Sequence, residues 1–276
     1  MNWRYYNHAM IPDCAPHEEP DMSCLNDGRI WQNQKTVLFA RWTTDFDCDC
    51  KTNWWYIIKD RPFDVNALKA KRRHEINKGL RYFNVRLINP SEYREELFNV
   101  QVAAFSAYPK KYRPEVNKEK FFKSVEKWND YAAYGAFYKE TDELCGYSLL
   151  KKVGNCCIDF CVQKTKPDFE RYAINAALVE KILTDHDEFL SNGGYICDGS
   201  RSVNHETKFQ DYLEKYFNFR KAYCSLHIKY NPKINWIIKL VYPFRTISRK
   251  LDRFGSIHKL NTVLKMEEIA RGEYHE

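Results

Sequence analysis

Three groups of residues in this chain have types and spacings suited to chemistry. His17 follows Pro16 and precedes Glu18 and Glu19, so it reads either as a general base held by a carboxylate or as a surface histidine beside acids. Lys69, Lys71, Arg72, Arg73, Lys78 and Arg81 put six positive charges around one helical segment with only Glu75 to balance them. That pattern fits either a site for phosphates or a solvated basic face. In the third group, the apolar run NCCIDFCV is broken by TKP and passes into FERYAINAALVEKILTDH. A buried strand entering a helix through a short loop offers the free N–H groups and dipole of the helix start to an anion. The ten cysteines do not add a metal centre. Cys48 and Cys50 are too closely spaced for a zinc knuckle, and Cys156, Cys157 and Cys161 lie in an apolar strand without a CxxC partner.

The elements that position these groups follow from periodicity. Residues 1–35 carry three prolines and no sustained pattern, which predicts an irregular segment. KTVLFARWTTDFD and TNWWYIIKD predict two strands of a hairpin, and VNALKAKRRHEINKGLRYF a helix with Val65, Leu68, Ile76 and Leu80 inward. NVRLIN is a short strand, followed by helices in PSEYREELFNVQVAAFSAY and NKEKFFKSVEKWND. YGAFYKETDELCGYSLLKKV then predicts two strands joined by a turn, and NCCIDFCV a third. In the next helix Ala173, Ile174, Ala177, Leu178, Ile182 and Leu183 fall three and four apart on one stripe. GGYICDGS, NHETKFQDYLEKYFNF and RKAYCSLHIKYNP close this part as strand, helix and strand. Residues 231–276 form a tail in which Trp236, Ile237, Ile238, Leu240, Val241 and Phe244 alternate with basic residues. It reads either as a helix docked on its own domain or as a basic amphipathic segment on an anionic membrane surface, with Pro243 interrupting any single long helix.

At 276 residues the chain can bury a large core, and 44 Lys+Arg against 37 Asp+Glu leave +7, a balance that favours an anionic partner. The N-terminal stretch has no basic segment followed by an apolar run, and no run of about 18 apolar residues occurs. A cytoplasmic protein with reduced thiols is expected, peripheral to the inner face of the membrane if the tail binds there.

Two strands, a buried third, a helix, a strand, a helix and a closing strand is an order that resembles the core of the GNAT superfamily. WWYIIKDRPFDVNALKAKRRHEINKGLRYFNVRLI resembles the entry segment of its Fem-type branch, where a strand ending in tryptophan precedes a basic helix with an R-x-x-I-x-K pattern, here Arg73, Ile76 and Lys78. YICDGSRSVNHETKFQDYLEKYFNFRKAY resembles the end of that fold. The Fem-type branch comprises bacterial aminoacyltransferases that build peptidoglycan cross-bridges, with related acyltransferase-like proteins of polysaccharide clusters. The resemblance spans residues 36–230 and implies an α+β fold of α/β/α layering, a mixed, mostly antiparallel sheet flanked by helices. Residues 1–35 are an N-terminal extension to it and residues 231–276 a helical tail. The chain departs from the acyl-CoA-binding pattern Q/R-x-x-G-x-G/A: aligned on Leu178 it offers Glu170, Ala173 and Asn175, and the usual G-F pair is Asn218 and Phe219. A glutamate facing a pyrophosphate repels it.

The resemblance implies acyl or aminoacyl transfer to an amine on an amino sugar or a lipid-linked cell-envelope precursor, with acyl-CoA or aminoacyl-tRNA as donor. Such transfer needs a group to take the ammonium proton and a hydrogen-bond donor for the oxyanion. Asp198 at a strand end, Asp159 on the third strand and His17 are the candidate acceptors of that proton. Arg201, Asn204 and Lys208 are candidates to hold phosphates of donor or acceptor, and Arg72, Arg73 and Lys78 a second phosphate group. The competing reading is a non-catalytic protein of the same fold that binds nucleic acid, tRNA included, or an anionic glycan through the basic helix.

Overall fold

The structure, a computed structural model, describes residues 3–32, 36–108, 110, 113–203, 208–253 and 255–274. The strands among these residues are β1 (Trp3–Tyr6), β2 (Ala9–Pro12), β3 (Phe39–Thr44), β4 (Trp55–Lys59), β5 (Phe83–Leu87), β6 (Tyr131–Tyr138), β7 (Glu143–Val153), β8 (Cys157–Thr165), β9 (Tyr195–Ser200), β10 (Arg220–Tyr223) and β11 (Ser225–Tyr230). The α-helices are α1 (Ser23–Asn26), α2 (Ala70–Tyr82), α3 (Arg94–Ser106), α4 (Lys118–Val125), α5 (Ile174–Asp185), α6 (Asp187–Ser191), α7 (Lys208–Phe217), α8 (Pro232–Val241), α9 (Arg245–Arg249) and α10 (Gly255–Ala270). The chain divides into two compact units, one of residues 1–57, 200–208 and 221–276, the other of residues 58–199 and 209–220.

The second unit carries the α/β/α layering. The larger sheet has the order β10-β4-β9-β8-β7-β6-β5, and the second unit holds the run from β9 to β5, with β5 to β8 antiparallel and β9 parallel to β8. Alternation along β7 explains why helices cover both faces. Tyr147 and Leu149 join Leu97, Val100, Phe121 and Val125 of α3 and α4 in one core. Gly146, one residue away, faces Ile174 of α5 on the other side, where a Cβ would come within 3.0 Å of the Ile174 side chain. The stripe expected on α5 is the buried one: Ile174, Ala177, Leu178, Ile182 and Leu183 are wholly inaccessible to water. The helix begins later than its periodicity suggests. Pro167–Tyr172 is a 3-10 turn, and Ala173 adopts the left-handed conformation at φ 61° before α5 starts.

The first unit holds a four-stranded sheet in the order β1-β2-β3-β11. Two expectations change here. Residues 1–35 contain a hairpin, β1 and β2 in register from Trp3↔Pro12 to Tyr6↔Ala9, rather than only irregular chain. Its turn residues Asn7 and His8 both have positive φ, the conformation of a type I′ turn, but without the glycine that signals such turns in a sequence. Behind it Trp3, Met10, Cys24, Leu25, Ile30 and Ala40 form a core of their own. The expected hairpin of residues 36–60 is likewise absent. β3 pairs with β11 from Phe39↔Tyr230 to Thr44↔Ser225, whereas β4 belongs to the larger sheet. The connection between β3 and β4 is too long to fix a hairpin register, so side-chain burial decides the partners. The expected closing strand divides at Cys224, whose N–H donates to the Trp54 carbonyl at 3.0 Å, into β10 and β11 of different sheets.

A candidate active site where two parallel strands part

β8 and β9 pair over Cys157↔Tyr195, Ile158↔Ile196 and Asp159↔Cys197. Beyond that point β8 continues to Thr165 on its β7 side only, and β9 to Ser200, so the two strands separate just past Asp159 and Cys197. Asp198 is the first residue of β9 beyond the last pair. The sequence thus places two carboxylates at the fork, one on each strand.

β8 also carries an irregularity at the fork. Leu149 pairs with Val162 and Leu150 with Phe160, leaving Cys161 as the extra residue of a bulge. Its thiol points back to the Asp159 carbonyl at 3.6 Å. A bulge re-aims backbone groups out of the regular ladder, the kind of backbone an acyl transfer can use against a developing oxyanion.

Around Asp198 the electrostatics are set by desolvation. The residue keeps partial solvent exposure, but protein surrounds its carboxyl, and that burial lifts its pKa to about 7. The Gln210 side-chain amide opposes the shift by donating to the carboxyl, and the negative Asp159 adds to it. Gln210 is itself buried on α7 and also reaches the Asp198 carbonyl at 3.4 Å. A carboxyl poised near neutrality can take a proton from an amine and return it within one turnover. Next to it Cys197 is fully buried, and its Sγ accepts the Gly199 N–H at 3.3 Å. Burial and then the Asp159 charge push that thiol well above its ordinary value, which keeps it protonated and unsuited to nucleophilic attack. Phe160 of β8 and Phe209 of α7, with ring centroids 5.8 Å apart, supply an apolar flank.

The start of α5, the expected anion cradle, is filled by protein. Ala173, Ile174, Ala176 and Ala177 are buried, and the Ala176 and Ala177 N–H groups both donate to the Ala173 carbonyl. α2 lies directly against it: a Cβ on Gly79 would meet the Ala173 carbonyl at 2.5 Å and the Ala177 nitrogen at 2.9 Å. The Asn175 side chain is also engaged. Ser148 Oγ donates to Gln163 Oε1 at 2.9 Å, and Gln163 Nε2 donates to Asn175 Oδ1 at 2.7 Å. Ala173 itself is left-handed, at φ 61°, a conformation that glycine adopts more readily.

The remaining candidates lie apart in role. His17 is exposed, belongs to the first unit, and sets its ring 6.3 Å from Phe46. Glu18, its neighbour, accepts the Ala15 N–H at 3.0 Å. Arg201 is buried: Nη1 donates to the Asn53 carbonyl at 2.7 Å, and the guanidinium lies over the Trp55 and Tyr274 rings at 4.2 and 5.7 Å. Asn204 lies outside the described residues, and Lys208 is exposed at the first position of α7. On α2, Arg72, Arg73 and Lys78 are partly exposed while Ile76 and Gly79 face inward. Arg73 donates to the Asn66 carbonyl at 3.2 Å, and Arg72 and Lys78 have no ion pair among the described residues. No group of three metal-ligating side chains occurs among the described residues. Gln210 was not expected from sequence. Its one signal is its place on the inward stripe of α7, three and seven residues before the buried Leu213 and Phe217.

No family model matches the chain, and no curated protein matches it. Among solved structures it is similar to FemX, with a TM-score of 0.53 and 9% identity over 79% of this chain and 78% of that one. It is also similar to a conserved protein of unknown function from Bacteroides thetaiotaomicron, with a TM-score of 0.50 and 8% identity over 80% and 78% of the two chains. A further match is L-PGS from Bacillus licheniformis, at a TM-score of 0.49 and 13% identity over 81% and 78%. The fold is Fem-like, as the order of its strands and helices implied.

Proposed function

We propose that this protein is an N-acyltransferase that moves an acyl or aminoacyl group onto an amine of a cell-envelope precursor, with Asp198 as the proton acceptor. The observation that carries the reading is the position of Asp198 at the parting of β8 and β9, with a carboxyl that titrates near neutrality. The amine nitrogen attacks the donor carbonyl, a C–N bond forms, and the bond to the leaving oxygen or sulfur breaks. Asp198 takes the ammonium proton and passes it to the leaving group. Backbone at the Cys161 bulge faces the oxyanion.

The filled start of α5 supports a donor held otherwise than by a pyrophosphate at that helix, which favours an aminoacyl ester of tRNA over acyl-CoA. Arg72, Arg73 and Lys78 on α2 supply charge for RNA phosphates. The acceptor is an amino sugar or a lipid-linked precursor, met at the cytoplasmic side of the membrane.

The test is transfer from labelled aminoacyl-tRNA, and in parallel from acetyl-CoA, to a panel of amino-sugar and lipid-linked acceptors. Product formation that Asp198→Asn abolishes supports the reading. Salt-sensitive binding of RNA with no transfer to any acceptor identifies the protein instead as a non-catalytic nucleic-acid binder of this fold.

A further inference from the structure

α8 has two apolar sides. Ile234 and Ile238 turn toward the core formed by Phe39, Leu226, Tyr230, Met266 and Ile269. One turn further Tyr242 is buried and donates to Glu273 at 2.8 Å, with Arg245 and Arg271 over its ring at 4.4 and 4.1 Å. The helix is therefore docked on its own unit. Its other side is apolar too and faces water: Trp236 is 62% exposed, Leu240 62%, Phe244 57% and Ile247 59%.

With Leu251 these residues advance by four, four, three and four positions, one stripe continued through the 3-10 turn at Tyr242–Phe244 into α9. Of the ten exposed large hydrophobic residues among those described, six lie on this stretch: these five and Ile237. Scattered singly they would need no explanation, but a contiguous patch does.

Its charge is one-sided. Between Pro232 and Leu251 there is no acidic residue. Arg245 and Arg249 are paired with Glu268, and Arg245 also with Glu273. Lys233, Lys239 and Lys250 are exposed and have no ion pair among the described residues. A basic face of this kind repels a second copy of itself and attracts a negative surface.

We propose that α8 and α9 dock the protein on an anionic lipid surface, the outward stripe entering the headgroup boundary and Lys233, Lys239 and Lys250 contacting the lipid phosphates. No helix among the described residues is long and apolar enough to cross a membrane, so the contact lies in the plane of the surface. The inference stands independently of the transferase reading.

The experiment uses the full chain and co-sedimentation with vesicles of equal parts phosphatidylglycerol and phosphatidylcholine, against pure phosphatidylcholine. The wild type pellets with the mixed vesicles and is released by salt. L240S/F244S/I247S and K233E/K239E/K250E each lose binding on the order of a hundredfold, from the contribution expected of each side chain at such a surface. Both variants keep the wild-type melting temperature, since the altered side chains are exposed. Absence of wild-type binding overturns the proposal, as does binding that L240S/F244S/I247S leaves intact. A dimer in solution that the same variant converts to monomer, without vesicle binding, also overturns it and assigns the face to a second copy.

Discussion

Asp159 pairs across the parallel β8–β9 ladder with Cys197, the residue before Asp198, and its charge helps raise the proton affinity of the Asp198 carboxyl. The two carboxylates are therefore not equivalent. Burial dominates at Asp198, and the neighbouring charge works in the same direction. This division suits a site in which one carboxyl accepts a proton and the other sets how strongly it does so.

The first prediction follows from that position. Asp198→Asn keeps the shape and removes the proton acceptor, so transfer should fall by roughly 10²- to 10⁴-fold. The folded pKa of about 7 lies above the ordinary aspartate value of 3.8, so this group's contribution to stability is present at low pH and is lost as pH rises from about 4 through 7. The neutral asparagine escapes that loss. The melting temperature of the variant should therefore gain on the wild type between pH 4 and pH 8, by at most ~4 kcal/mol of stability. A variant with full activity, measured at saturating donor, removes Asp198 from catalysis.

The pH profile of transfer tests the neighbours. Activity of the wild type should rise with pH through an apparent pKa near 7, because the acceptor must be ionised. Asp159→Asn removes a negative charge and should move that pKa down. Gln210→Leu removes a hydrogen bond that favours the charged form and should move it up. Shifts in the same direction for both variants would show that the limb belongs to another group.

Much of the second unit was legible because its strands and α5 obey simple periods. Ile174, Ala177, Leu178, Ile182 and Leu183 are buried where a 3.6-residue repeat puts them. The first unit was harder to read. Its hairpin turns at Asn7–His8 without a glycine, and β3 finds its partner in β11, about 190 residues later in the chain. The candidate site was half legible: Asp159 and Asp198 stand out as carboxylates on apolar strands. What joins them is a register that ends after three pairs, a property of two strands together that neither sequence shows alone. Arg201 looks like a phosphate ligand in sequence, yet the Asn53 carbonyl and two aromatic rings occupy it in the fold.

Ala173 gives a prediction about the helix start. A non-glycine residue in the left-handed region costs about 1–2 kcal/mol, offset in part by the greater chain entropy that glycine brings to the unfolded state. Ala173→Gly should therefore stabilise the protein by a few tenths to ~1 kcal/mol, read from urea unfolding. The side chain is buried, so a net loss of stability would mean that the packing of its methyl group outweighs the backbone strain.

Gly79 provides the opposite case at the same junction. A methyl group there meets two backbone atoms, the Ala173 carbonyl oxygen at 2.5 Å and the Ala177 nitrogen at 2.9 Å, and neither belongs to a side chain that can swing away. Alanine is the better helix former, by about 1 kcal/mol, so an uncrowded site would gain from Gly79→Ala. Here α2 must instead withdraw from α5, and the overpacking cost of typically 1–3 kcal/mol exceeds the propensity gain. The expected outcome is a lower urea midpoint, with a larger drop for Gly79→Val. If Gly79→Ala proves stabilising, α2 can move off the start of α5 at little cost, and this helix start is not closed to a pyrophosphate. A thermal shift of the wild type with acetyl-CoA then decides the point: the closed junction predicts no stabilisation by the coenzyme.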